Sequence, residues 1–324
     1  PKIISFDAFG TLYTPIKPSV TQYYEIASLP YYNYHKPLAQ LNKDFGVYFK
    51  YLYKKYPNYG KYSNIFEHAD YWWAYLIRKL FEPYVVSNKF LNHLLNDLTF
   101  NAYSTFDDLK YISRKLKDID LNNYNNEIGN MEKMKTKDNK IIFVVISNGD
   151  PRVKLILDSL KLSYKPNQNH NSQSFFNENF VFISYDIDLF KPDKKFFDYV
   201  LKSLISKGLI INYDNNNIEN LQILLKSCWH IGDEYGKDVL GAKNAGWNAI
   251  LVDRRNNFGF FSKRNVFPKE KLDLIDQKST MSLATMDESQ TNFKLDLIDE
   301  KLVITEDKTI IVKDLWQLGR VFNI

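Results

Sequence analysis

Ile3-Ile4-Ser5-Phe6-Asp7-Ala8-Phe9-Gly10-Thr11-Leu12 is the stretch on which the reading of this chain turns. Ile3 to Phe6 reads as a short buried strand, and Gly10 lets the backbone turn sharply after Asp7. Asp7 is thereby expected at the carboxyl end of a strand, where open α/β sheets present their functional groups. An aspartate before a glycine turn is common in doubly wound folds, so the stretch needs company before it carries chemistry.

That company comes from the alternation downstream. Residues from about Pro15 to Phe106 are rich in Tyr, Lys and Leu, with apolar groups at three- and four-residue steps. This spacing predicts amphipathic helices. Beyond them the pattern predicts helix over Asp107–Leu116, strand over Ile141–Ile146 and helix over Arg152–Leu160. Strand Phe180–Ser184, helix Lys194–Leu204, strand Trp229–Ile231, helix Asp238–Ala245 and strand Ala249–Val252 follow. Strands alternating with helices mean an α/β fold built on a parallel sheet with helices on both faces. The division expected is a discontinuous core, residues 1–16 and 105–324, interrupted by a helical cap at 17–104. Lys165–Asn179, Asn212–Glu219 and Lys271–Glu306 are polar and aperiodic and are read as surface insertions without regular structure. Thr309 to Trp316 regains apolar character and is expected to pack back onto the core.

Composition narrows the class. The 324 residues are 44% hydrophobic and 25% charged, ordinary for a globular protein. A net charge of +5 is spread along the chain, which fits solubility rather than a nucleic-acid surface. No apolar run has the length of a membrane span. Cys228 is the only cysteine, so no intramolecular disulfide is possible, and its apolar neighbours suit a buried small residue. With a strand beginning at Ile3, a cytoplasmic location is expected, with the nucleus as the alternative, and neither nucleic acid nor membrane as partner.

Three further segments stand in order behind Asp7. Val144-Val145-Ile146-Ser147-Asn148-Gly149-Asp150 is a strand ending in a hydroxyl residue, a neutral donor suited to developing negative charge. Phe190-Lys191-Pro192-Asp193 places a lysine before a helix start. His230-Ile231-Gly232-Asp233-Glu234-Tyr235-Gly236-Lys237-Asp238 sets two aspartates, five residues apart, after a strand, and carboxylates are the hard oxygen ligands Mg²⁺ prefers. With Asp7-Ala8-Phe9-Gly10-Thr11-Leu12, these four segments resemble the four motifs of the haloacid dehalogenase-like hydrolase superfamily. Tyr56-Pro57-Asn58-Tyr59-Gly60, Trp72-Trp73 and Ile183-Ser184-Tyr185-Asp186 add a likeness to the rhythmically expressed gene branch of that superfamily.

The resemblance implies a Rossmann-like core with a helical cap and a Mg²⁺-dependent phosphatase acting on a small phosphorylated molecule. It implies that Asp7 is the nucleophile, that Ser147, Asn148 and Lys191 bind the phosphoryl group, and that Thr11 orders the loop after Asp7. Asp7, the backbone carbonyl of Phe9 and Asp233 would hold the metal, and Asp238 would orient Lys191 or reach the metal through water. One departure matters. Phosphatases of this kind carry a second aspartate two residues after the first, as general acid and base, and here that position is Phe9. The resemblance then implies a weak or leaving-group-restricted phosphatase, or an inactive relative that binds a phosphorylated ligand or partner. A 2-haloacid dehalogenase, which needs no such acid, is the remaining alternative. Those enzymes replace the acid at the Asp233 position with serine and carry tyrosine where this chain has Phe197.

Overall fold

The computed structural model describes residues 3–115, 141–165, 174–210, 218–261, 295–299, 301–305 and 307–322. They fall into two compact units. The first comprises residues 1–12, 106–144 and 191–324, the second residues 13–105 and 145–190.

Strand β1 (Ile3–Phe6), buried along its whole length, starts the first unit. In the second unit the chain runs through β2 (Tyr13–Pro15) and helices α1 (Ser19–Ala27), α2 (Leu38–Lys55), α3 (Ala69–Leu80) and α4 (Asn88–Phe100). It returns along β3 (Tyr103–Thr105), antiparallel to β2, so the four helices leave and re-enter through one two-stranded ribbon. Helix α5 (residues 107–115) belongs to the first unit, and β4 (Ile142–Ser147) starts there and ends in the second. The second unit continues with α6 (Arg152–Ser159), the short parallel strands β5 (Ser163–Tyr164) and β6 (Phe176–Asn177), β7 (Val181–Ile183) and α7 (Ser184–Ile187). The first unit resumes with α8 (Lys194–Ser206), α9 (Ile218–Lys226), β8 (Cys228–Gly232), a π-helical turn at Tyr235–Val239, α10 (Leu240–Asn244) and β9 (Asn248–Val252). It closes with β10 (Leu295–Asp299), β11 (Leu302–Thr305), β12 (Ile310–Val312) and α11 (Leu318–Val321).

In the first unit β1, β8, β9 and β12 lie side by side and parallel, with Ser5 opposite His230, Ile231 opposite Ile250 and Ile250 opposite Ile310. From β12 the sheet turns antiparallel through β11 to β10. In the second unit the end of β4 pairs parallel with β7, Ser147 opposite Ile183. The sheet is thus mostly parallel but mixed, with flanking helices, an α/β fold.

The antiparallel edge corrects the reading of residues 271–306 as wholly irregular and of Ala249–Val252 as the last core strand before the tail. Val303-Ile304-Thr305 is a β-branched run after Leu302, and Ile310–Val312 is another; each is mostly buried, on both faces. The signal of the first was drowned by the polar residues on either side, whereas the second lies within Thr309–Trp316, whose apolar character is read above, and pairs with β9. Phe176–Asn177 likewise departs from the irregular reading of 165–179, whereas the Asn-rich residues 212–217 lie outside the described ones. The helix expected to start at Asp238 starts earlier, as the π turn, because Asp238 is needed inside the turn (below).

Local chemistry explains the helix starts. Ser87 caps α4 by accepting the Phe90 amide at 3.2 Å, and Asp193 caps α8 by accepting the Lys195 amide at 2.9 Å. The core of the four helices is aromatic. Phe90 is fully buried and meets Tyr32, Tyr34 and Phe81 edge-on, with ring centroids 4.9, 4.9 and 5.2 Å away. Among the described residues no helix is long and apolar enough to cross a membrane. Replacing Phe90 with alanine is expected to destabilise the second unit by about 3–5 kcal/mol, read from urea unfolding. A loss below about 1 kcal/mol would mean the cluster closes over the gap.

Candidate active site

Strand ends and the turns after them place the three aspartates of a buried polar cluster in the first unit, and the loop before α8 places its lysine. Asp7 follows β1, and its amide extends the ladder to β8 by donating to the Ile231 carbonyl at 2.8 Å. Asp233 follows β8 directly, so the parallel register of β1 and β8 delivers both carboxylates to one edge of the sheet. Gly10 has φ +86°, and a β-carbon there would overlap the Asp233 carboxylate. Gly232 leaves similar room for Asp238. Glycine at these two positions lets the acids approach the backbone.

Lys191 is the hub. Its buried ammonium donates to Asp7 Oδ1 and to Asp238 Oδ1, each at 2.6 Å. Burial alone would lower its pKa, but the charges of Asp238 and Asp7 outweigh that and raise it, so it stays protonated. Burial opposes ionisation of Asp238 too, yet Lys191 and the His230 bond hold its pKa well below the usual range. Asp238 accepts from Lys191 and faces His230 Nε2 at 3.1 Å through Oδ1, and accepts the Glu234 amide at 2.9 Å through Oδ2. The π turn aims that amide, which is why Asp238 lies inside it.

His230 is fully enclosed, and burial, then the Lys191 charge, depress its pKa to about 4 against the pull of Asp238. The neutral ring must carry its proton on Nε2 to meet the carboxylate. Nδ1 lies 2.7 Å from the Ser5 hydroxyl, whose proton it shares with the Trp229 carbonyl, 3.0 Å away. Neither residue was singled out from sequence. The signal was there: Ser5 and His230 are polar residues inside otherwise apolar buried strands, and buried polar groups find partners.

Asp233 is differently served. Thr11 Oγ1 donates to its Oδ1 at 3.2 Å, and no lysine or arginine pairs with it among the described residues. Burial and the nearby charges of Asp7, Asp238 and Glu234 push its pKa up to about 8. Asp7 rises to about 6, again through burial first, with Lys191 opposing and Asp238 adding. Asp7, Asp233 and Asp238 each offer an oxygen within 4.8 Å of the others. Three carboxyl groups share one ammonium, and Asp238 is spent on protein donors. The remaining oxygens of Asp7 and Asp233 are a fitting donor set for a hard divalent cation such as Mg²⁺.

Thr11 is held from behind, since Arg254 Nη2 donates to its carbonyl at 3.2 Å and Arg254 pairs with Asp108. Asp108 in turn accepts the Leu315 amide at 2.7 Å, tying the loop after Asp7 to the C-terminal tail. Of the other expected site residues, Ser147 is buried at the end of β4 in the second unit, and Asn148 next to it is half-buried. The Phe9 ring is 52% exposed.

Residues 189–257, which carry Lys191, Asp233 and Asp238, match the family described as "HAD-hyrolase-like". The chain belongs to the haloacid dehalogenase-like hydrolase superfamily. It is 32% identical over 287 residues to the uncharacterized protein YMR130W of Saccharomyces cerevisiae, covering 86% of this chain and 82% of that one. It is 26% identical to the rhythmically expressed gene 2 protein of Drosophila melanogaster, over 79% and 84% of the two chains. Among solved structures, the 2-haloacid dehalogenase from Pseudomonas syringae aligns with a TM-score of 0.49 at 13% identity, covering 99% and 98%.

The raised Asp233 carboxyl makes a pH prediction. Folding favours its protonated form, so its stabilising contribution is fully present below about pH 3.8 and is lost as pH rises through about 8. In chelator, the protein should therefore lose stability relative to its Asp233→Asn variant across that window, and Mg²⁺ should narrow the gap at the alkaline end. Urea midpoints of both proteins at a series of pH values measure it; a gap independent of pH contradicts the electrostatics described.

Proposed function

We propose that this chain is a phosphohydrolase that uses Mg²⁺ and hydrolyses small phosphorylated molecules by way of an aspartyl nucleophile, with a restricted choice of leaving group. The observation that carries this reading is the pairing of Asp7 with a protonated Lys191, beside an Asp233 that no lysine or arginine pairs with among the described residues. Asp7 and Asp233 would hold the ion together with the Phe9 carbonyl. When bound, Mg²⁺ supplies charge neutralisation for phosphoryl oxygens.

Asp7 is ionised above about pH 6, so its carboxylate can attack phosphorus at neutral pH. A P–O bond forms to Asp7 as the bond to the leaving oxygen breaks, giving a phosphoaspartate. Lys191 stabilises the charge on the transferring oxygens, with Ser147 and Asn148 as donors in the same role. Water then attacks the phosphoaspartate, releases phosphate and restores the carboxylate. Asp238 orients Lys191, and Thr11 keeps the loop after Asp7 in place. No acid stands at position 9 to protonate the leaving alkoxide, so aryl and acyl phosphates, whose phenolate and carboxylate leave without help, are the better substrates. Residues 17–104 would form the cap that selects among them.

Phe9 also supports a second reading, a relative that binds a phosphorylated ligand or partner and does not turn it over. A ring at that position rules out proton transfer there, while the retained Asp7, Lys191 and Asp233 still suit binding.

Phosphate release from a panel of phosphoesters decides between them. Aryl and acyl phosphates should be hydrolysed in Mg²⁺, with activity lost in chelator and in Asp7→Asn. Silence on every ester would move the assignment to the binding reading. Because the Phe9 ring is half exposed, Phe9→Asp costs little packing, and it should raise turnover of alkyl phosphates toward the about 10²–10⁴-fold typical of general acid–base help. Unchanged turnover in that variant would show that the missing acid is not what limits the reaction.

A further inference from the structure

Arg254 is launched from the same edge of the sheet as Asp7 and Asp233. It stands two residues past the end of β9, which lies parallel beside β8, and its turn is fixed from both sides. The Asp253 amide donates to the Val312 carbonyl of β12 at 2.8 Å. The Asp253 carboxylate accepts the amides of Asn257 and Phe258 at 2.7 and 3.1 Å. The Arg254 guanidinium lies on the Phe106 ring, its carbon 3.7 Å from the centroid. Nη1 pairs with Asp108, which is 4% exposed and accepts the Leu315 amide with the same oxygen, and Nη2 donates to the Thr11 carbonyl.

This ion pair is not in its most favourable geometry. Asp108 Oδ1 and Arg254 Nε are sealed from solvent, and neither meets a hydrogen-bond partner among the described residues. Side-on pairing, with Nε and one terminal nitrogen on the two carboxylate oxygens, would satisfy both. Buried polar groups are rarely left unmet, so an orphaned donor and acceptor within one pair need a reason. The Thr11 carbonyl is that reason, since the fork is turned so that Nη2 reaches it. The Thr11–Leu12 peptide is thereby held at both ends, because the Leu12 amide donates to the Ala8 carbonyl at 2.8 Å. A planar peptide fixed at its N–H and its C=O cannot turn. Fully buried Thr11 is left pointing its hydroxyl at Asp233 Oδ1.

We infer that Asp108 and Arg254 are positioning residues of the cation site: the pair fixes the Thr11–Leu12 peptide, and through it the Thr11 hydroxyl that aims the Asp233 carboxylate. All of these residues belong to the first unit. The inference rests on the divalent cation of the function proposed above and on no step of hydrolysis. Outer partners that orient a metal ligand in this way typically carry about 10–100-fold in metal affinity.

The test is calorimetric titration of Mg²⁺ into the metal-free protein, which needs no substrate. The unsubstituted chain is compared with the pair variant Asp108→Asn plus Arg254→Met, with Thr11→Val, and with all three substitutions together. The pair variant keeps an oxygen for the Leu315 amide and an apolar chain on Phe106. It strands no buried charge and leaves the net charge unchanged, so altered Mg²⁺ affinity cannot come from either. Should it not fold, Arg254→Lys, which keeps a charge opposite Asp108 without a planar fork to span it and Thr11, takes its place. The pair variant and Thr11→Val should each bind Mg²⁺ about 10–100-fold more weakly. The triple variant should bind no more weakly than Thr11→Val, because the pair acts through that hydroxyl. Affinity unchanged by the pair substitution, or losses that multiply in the triple variant, would overturn the inference and leave the cation reading standing. Mg²⁺ binding no tighter than that of Asp233→Asn would overturn both. The expected losses in a protein that releases no phosphate would remove the hydrolytic reading and keep this one.

Discussion

A single buried ammonium organises the first unit. Lys191 can be charged where it stands only because Asp7 and Asp238 flank it, and they can be charged only because of Lys191. Removing one member of such a group strands an uncompensated charge in the interior, commonly at about 3–5 kcal/mol. The surroundings are arranged to prevent that. His230, locked by Ser5, and the Glu234 amide fix Asp238 from the other side, and Gly232 leaves space for it. A side chain held by so many fixed donors has no freedom to serve as anything but an anchor. The ammonium is therefore delivered to Asp7 with its direction already set, and pre-set direction is what electrostatic stabilisation of a reacting group requires.

The same arrangement divides labour among three carboxylates that a sequence presents as equals. Asp238 is satisfied by protein donors, Asp7 is half satisfied, and Asp233 is left with a hydroxyl and repulsion. Their pKa values spread accordingly, from well below the ordinary range to about 8. Environment, not residue type, sets the three carboxyl groups apart.

Much of this was legible beforehand because the parallel sheet concentrates information at strand ends. An apolar run, an aspartate and a glycine turn located Asp7. Gly232-Asp233 with Asp238 five residues on located the other two acids, and Lys191 before Pro192 and the Asp193 cap located the ammonium. What stayed hidden depends on pairings distant in sequence. Ser5 meets His230 only through the β1–β8 register, and Arg152 reaches Trp73 only once α3 has folded. The antiparallel strands β10 and β11 were missed because they are short and stand in polar surroundings, where composition outvotes periodicity.

The β2–β3 ribbon has a consequence of its own. Two antiparallel strands keep their ends about 5 Å apart whatever lies between them. The entropy of closing the excursion grows only slowly with its length. Excursions of quite different length would thus join the same pair of ends, each doubling costing only about 0.6 kcal/mol. The ribbon works as a socket: what is plugged into it can be lengthened, shortened or exchanged without disturbing the register that brings Asp7 and Asp233 to one edge.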